Sequence, residues 1–253
     1  MTKPLKVAHR GWHSHHVENT LEAFRAAYAA GCDMVEFDVQ LSRDGVPVIF
    51  HDDDCQRLAH RPEPLHTLVW EEIRRIRMPR HSSGPGGPGG AAYAIPSLKE
   101  FLKEFSSRPY YLELKVPRAM ESDQRYIELL GATAASLVRD ADPHPQTFLA
   151  SFHGGILRFL HSRGLYPVLG GIFEDYARFQ EVLTARDVAI AAAVRYYSIS
   201  WKLFRRYLKD GDGKAPGADR FLVWDISASH FQAAAKAGLY GIVADDVDTL
   251  VLL

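Results

Sequence analysis

Apolar residues along the chain fall into short strand-like runs separated by longer stretches with helical spacing. The first run covers residues 5–9. After it Leu21, Phe24, Ala27 and Tyr28 share one helical face up to Gly31, with Asn19 read as the cap and Glu22 completing a capping box. Residues 33–41 (DMVEFDVQL) alternate in the strand sense, and Ser42-Arg43-Asp44-Gly45 turns the chain into another strand over 46–51. A parallel return would need a crossover of a dozen or more residues, so this pair is expected to be an antiparallel hairpin. Helical stretches follow at 68–76 and 97–105. Between them lies HSSGPGGPGG (81–90), read as a small flexible insertion inside one domain.

From Tyr110 onward the rhythm becomes regular. Strands are expected at 111–115, 147–152, 167–173, 188–194, 221–226 and 241–244, with helices around 126–139, 155–162, 175–183, 201–208 and 229–237. Adding 5–9 and 33–41 makes eight parallel strands. Eight strand–helix units in a chain of this length predict an α/β fold of the (β/α)8 TIM barrel type, with an extra antiparallel hairpin strand and a small insertion, as one domain over residues 1–253. A doubly wound open sheet is the second choice.

Composition narrows the function classes. Among 253 residues 47% are hydrophobic and 24% charged, with a formal net charge of −1, so no global field draws nucleic acid or an anionic membrane. Cys32 and Cys55 show no metal spacing and read as inert thiols of a reducing compartment. The start, MTKPLKVAHRG, holds no apolar leader, and no run approaches a membrane span, so a cytoplasmic location without stable membrane insertion is expected.

Polar residues break into the apolar strands where a barrel places its site. His9 and Arg10 end the first strand, His51 and Asp52 end the hairpin strand, and Glu36/Asp38 and Glu113/Lys115 are pairs two residues apart, which point to one face. Carboxylates inside apolar strands are costly unless paired or coordinated. Three of them converging at one mouth suit one hard divalent cation, Mg²⁺ or Ca²⁺.

Taken in order, HRG (His9–Gly11), EN (Glu18–Asn19), ExD (Glu36–Asp38), HD (His51–Asp52) and ExK (Glu113–Lys115) resemble the pattern of the glycerophosphodiester phosphodiesterases. IPSLKEFL (95–102), SF (Ser151–Phe152), VW (Val223–Trp224) and GIVADD (241–246) extend the likeness over essentially the whole chain. The resemblance implies a TIM barrel that hydrolyses glycerophosphodiesters to glycerol 3-phosphate and an alcohol. It implies acid/base roles for His9 and His51 and metal-ligand roles for Glu36, Asp38 and Glu113. Arg10 and Lys115 match positions that contact the phosphate, and Trp224 one near the substrate's glycerol. The chemistry agrees, because a pair of imidazoles can hold opposite protonation states near neutrality. The expected partner is a small phosphodiester; water and the substrate's 2-hydroxyl both remain open as nucleophile.

Several features read more plainly. Asn19 is explained by capping, with a site role as the alternative, while Glu18 is placed to orient Arg10 or to act beside the metal. His13, His15 and His16 resemble a metal cluster but are assigned to a rim or solvated loop; His153 is assigned a structural or surface role, and Arg74, Arg75 and Arg77 a solvated helix face. The chain departs from the family at Val17, where proline is common, and at Asp225, where a small hydroxyl residue is usual. Residues 194–213 match poorly and lie where substrate loops are expected, which leaves the alcohol open. Alternatives are a phospholipase D-like action on lysophospholipids or sphingolipids, and a catalytically silent phosphodiester-binding protein. No required histidine or carboxylate is lost, which counts against the latter.

Overall fold

The computed structural model describes residues 3–79, 92–210 and 217–253. Its strands are β1 (Leu5–His9), β2 (Met34–Leu41), β3 (Pro47–Ile49), β4 (Arg77–Met78), β5 (Tyr93–Ala94), β6 (Tyr110–Leu114), β7 (Phe148–Ser151), β8 (Leu169–Phe173), β9 (Val194–Ser200), β10 (Phe221–Trp224) and β11 (Gly241–Ala244). Its helices are α1 (Leu21–Ala30), α2 (Gln56–Ala59), α3 (Trp70–Ile73), α4 (Leu98–Phe105), α5 (Gln124–Asp140) and α6 (Gly154–Ser162). They continue with α7 (Tyr176–Leu183), α8 (Val188–Ala193), α9 (Trp201–Asp210), α10 (Phe231–Lys236) and α11 (Val247–Leu250).

Among the described residues β1, β2, β6, β7, β8, β9, β10 and β11 pair in parallel, and the β1–β11 and β1–β2 pairings close the ring. The expected (β/α)8 barrel is therefore present. So is the hairpin: β3 pairs antiparallel with the last residues of β2, Val39 to Leu41. It occupies that edge because β1 ends at His9, opposite Glu36, and leaves the end of β2 without a neighbour on that side. Around β3 a separate apolar cluster forms, which includes Phe50, Cys55, Leu65, Ile73, Tyr93 and Ile95. The Gly/Pro stretch 81–90 lies outside the described residues.

Two expectations are corrected. Of residues 188–194, expected as a strand, Val188–Ala193 form α8, and Val194 opens the barrel strand β9. The segment VAIAAA is rich in alanine and capped by the Asp187 carboxylate, which accepts from the Ile190 N–H; VRYYSIS carries the β-branched and aromatic residues that favour a strand. At α1 the cap is Thr20, not Asn19, with its hydroxyl accepting from the Ala23 N–H. Gly31 ends that helix at φ 100°, as expected of a left-handed stop.

Inward positions of the strands fall into two layers. Val7, Met34, Tyr111, Phe148, Ile172, Leu222 and Val243 meet in one apolar cluster inside the ring. Two residues further along, on the same face, stand His9, Glu36, Glu113, Trp224 and Asp245. The apolar layer is thus a floor, and the chemistry is placed one pleat above it at the C-terminal mouth.

Candidate active site

Register gathers the polar layer. His9 lies beside Glu36 across β1 and β2, and Asp38 lies beside Glu113 across β2 and β6. Glu36, Asp38 and Glu113 are 3%, 1% and 7% exposed, so they are as buried as core residues. Donor oxygens of all three come within 4.8 Å of one another. After His9 the chain must turn sharply: Arg10 and Gly11 both take left-handed φ values, 55° and 81°. A Cβ on Gly11 would stand 2.8 Å from the backbone of Ala23, so only glycine fits there.

Two cations serve the three carboxylates. Lys115 Nζ is 3.4 Å from both Asp38 and Glu113, and Arg10 Nε is 3.3 Å from Asp38. The Arg10 backbone N–H donates to Glu36, and the Asn19 amide donates to Asp38 at 3.0 Å. Asn19 therefore supports the site, the alternative to the capping role. Burial pushes Asp38 up, but Lys115 and Arg10 outweigh it and hold the carboxyl well below its ordinary range. Glu36 is pushed far above its ordinary value by burial, Asp38 and Glu113. Glu113 is also raised, because its burial exceeds the help from Lys115. Without a further positive charge the cluster cannot hold three ionised carboxylates comfortably.

Both histidines have a carboxylate on Nδ1. His9 Nδ1 is 2.6 Å from Asp245, and His51 Nδ1 is 2.7 Å from Asp52. The opposite nitrogen, Nε2, is then left for the cavity; that of His9 is 3.8 Å from Glu36. Asp52 is in turn held by Arg57, which also bonds Glu18, and Glu18 accepts from Arg10 at 2.9 Å. Hence Glu18 orients Arg10, one of its two expected roles. Asp245 and Arg57 carry no local signal as site residues, since their partners are distant in sequence or sit on the short α2. Asp245 stood inside the GIVADD match, which offered the only hint.

The HSHH loop does not gather its histidines on one ligand. His13 Nε2 bonds Asp245 at 3.0 Å, His15 Nε2 is 3.7 Å from Asp248, and His16 Nδ1 meets the Tyr93 hydroxyl at 3.0 Å. His153 Nε2 contacts the Glu121 carbonyl, apart from the cavity. Burial pushes the Cys55 thiol to about 11 and the Cys32 thiol to about 12, which keeps both protonated.

A cavity of about 1340 Å³ opens over this layer, lined on one side by His9, Glu36, His51, Glu113 and Lys115 and on the other by Trp201, Trp224 and the polar face of α9. A model of the glycerophosphoryl diester phosphodiesterase family matches residues 9–249. The chain belongs to that family. Its members are phosphoric diester hydrolases, and all the residues just described fall inside the match.

Relatives agree with the family assignment. The chain is 24% identical over 252 residues to a glycerophosphodiester phosphodiesterase of Caldanaerobacter subterraneus, covering 99% of this chain and 98% of that protein. It is 31% identical over 269 residues to a lysophospholipase D of Mus musculus, covering 96% and 79%. The structure of an Oleispira antarctica phosphodiesterase, in complex with the product sn-glycerol-3-phosphate, matches with a TM-score of 0.76 at 21% identity. That match covers 99% of this chain and 98% of the other, and shows the shared barrel. No helix among the described residues is long and apolar enough to cross a membrane.

The family implies a metal, and the residues present fit one. Three buried oxygen donors stand within reach of a common point, and Arg10 and Lys115 do not match their charge when all three are ionised. Oxygen donors with excess negative charge suit a hard divalent cation better than a soft one.

Proposed function

We propose that this phosphodiesterase hydrolyses glycerophosphodiesters to glycerol 3-phosphate and an alcohol, with His9 and His51 as its acid and base. The observation that carries this reading is the matched pair of Nδ1 contacts, Asp245 on His9 and Asp52 on His51, beside one buried acidic cluster. A carboxylate on Nδ1 fixes the ring and its tautomer, so Nε2 is the atom that exchanges protons. One imidazole takes the proton of the attacking hydroxyl as its oxygen bonds to phosphorus. The other gives a proton to the alcohol oxygen as the P–O bond breaks. Glu36, Asp38 and Glu113 would hold one divalent cation, Mg²⁺ or Ca²⁺, which supplies positive charge against the phosphoryl oxygens. Arg10 and Lys115 bear on the phosphate from the same wall, and Trp224 borders the glycerol side.

A second reading, release of the headgroup from lysophospholipids, draws support from Phe152. This residue lines the cavity and is 45% exposed, a surface onto which an acyl chain could pack. Turnover of glycerophosphodiesters and lysophospholipids, each assayed with and without chelator, separates the two. Hydrolysis of the deacylated diesters at the higher kcat/KM supports the first reading; hydrolysis of lysolipids alone replaces it with the second.

A further inference from the structure

The cavity is larger than a glycerol phosphate requires, since typical small-molecule sites measure about 300–1,000 Å³ and this one about 1340 Å³. Its far wall is α9, where Trp201, Leu203, Phe204 and Tyr207 are buried against the barrel. The opposite face carries Lys202, Arg205, Arg206 and Lys209, all four lining the cavity. Arg206 is engaged: it pairs with Asp210 and stands 3.9 Å over the Tyr176 ring. Lys202, Arg205 and Lys209 follow at i, i+3 and i+7, on one side of the helix. None of these three makes an ion pair with a described residue. Glu174 and Asp225 line the same cavity, yet neither makes an ion pair with them.

A row of exposed cations on a helix is commonly a solvated face. Here it borders the reaction cavity instead, and two indole N–H groups in the same wall, Trp201 and Trp224, are buried with no hydrogen-bond partner among the described residues. The scissile phosphate already has Arg10 and Lys115, so it does not account for three more cations. From Lys202 to Lys209 the helix rises roughly 10 Å, enough to meet a group beyond the scissile bond.

We propose that the α9 face is an anion subsite for the leaving alcohol. Building on the hydrolytic reading above, it selects glycerophosphodiesters whose alcohol carries a further phosphate. The alcohol side extends along α9, and Lys202, Arg205 and Lys209 receive that second anion.

A matched pair of substrates tests this on the metal-loaded enzyme: glycerophosphoinositol and glycerophosphoinositol 4-phosphate, which differ by one phosphate, with glycerophosphocholine as the cationic contrast. The wild type should favour the phosphorylated diester by about tenfold or more in kcat/KM, and the preference should shrink as salt rises. In the Lys202→Ala/Arg205→Ala/Lys209→Ala variant that preference should vanish, while glycerophosphoinositol turnover stays within about threefold. Equal rates for the matched pair in the wild type, or an undiminished preference in the variant, would overturn the subsite. Failure on all three diesters would sink the hydrolytic reading instead. Calorimetric binding of inositol 4-phosphate then still decides the subsite: binding by the wild type that the variant lacks supports it, and equal binding or none rejects it.

Discussion

Around β1, β2 and β6 the ionisable side chains at the mouth are bonded to one another, except Glu36, whose hydrogen bond comes from the Arg10 backbone N–H; along α9 most have no ion-pair partner among the described residues. On the first wall the contacts run in a chain: Asp38 to Arg10, Lys115 and Asn19, Glu113 to Lys115, Arg10 to Glu18, Glu18 to Arg57, Arg57 to Asp52, Asp52 to His51, with Glu36 left as the unmatched carboxyl. Such a network fixes geometry, and it lets strained charges persist where they act. The far wall offers exposed cations, of which Lys202, Arg205 and Lys209 make no ion pair with a described residue. On the proposed reading the first wall does the chemistry and the second receives the alcohol, so substitutions on the two walls should differ in kind. On the first wall they should lower kcat; on the second they should shift KM and substrate preference.

The largest effect expected is on the first wall. Replacing His51 by alanine should lower kcat by about 10²–10⁴-fold with the fold intact by circular dichroism. Losing only the orienting carboxylate should cost less: Asp245→Asn and Asp52→Asn should each reduce kcat by about 10–100-fold with KM little changed. A purely structural role would move Tm and leave kcat alone. Trp224→Ala is the contrasting variant, expected to raise KM more than it lowers kcat, within about tenfold for either.

Stability sharpens the comparison in the opposite direction. Glu36 is raised by burial and by Asp38 and Glu113, so the unfolded chain gives up this proton first and the native state loses stability as pH rises from the unfolded pKa towards the folded one. Glu36→Gln should therefore raise the Tm of the metal-free protein near neutrality, by about 2–4 °C per kcal/mol of repulsion relieved. The same change should abolish most of the Tm gain that saturating metal gives the wild type. A lower Tm in chelator would show that the cluster is not strained.

The smallest effect lies at Glu18. Burial pushes this carboxyl up, but its bonds to Arg57 and Arg10 prevail and leave it lowered. A lowered carboxyl contributes stability above its unfolded pKa, and that contribution disappears as pH falls through the folded pKa. Glu18→Gln should accordingly narrow the stability difference between neutral and acid pH, read as Tm against pH.

Much of the first wall was legible because a period of two and a run of apolar neighbours betray an inward carboxylate: MVEFDV and YYLEL announce Glu36, Asp38 and Glu113 without a structure. What links those residues was not legible. His9 and Asp245 meet across 236 positions, and Arg57 reaches Glu18 from a four-residue helix. Asn19 and Thr20 are both good caps, so a shift of one residue exchanged the cap for a site residue; the positive φ of Asn19, 57°, turns its amide to Asp38. The run VAIAAA had no periodicity to tell strand from helix, and the choice fell to alanine content and the Asp187 cap.

Hydrolysis of glycerophosphoinositol by chelated enzyme, by enzyme reloaded with Mg²⁺ or Ca²⁺, and by metal-loaded His51→Ala tests the central claim most directly. The account predicts that activity disappears on chelation, returns with the metal, and stays lost by about 10²–10⁴-fold in the variant. Undiminished turnover in chelator, or near-normal turnover by His51→Ala, would contradict it.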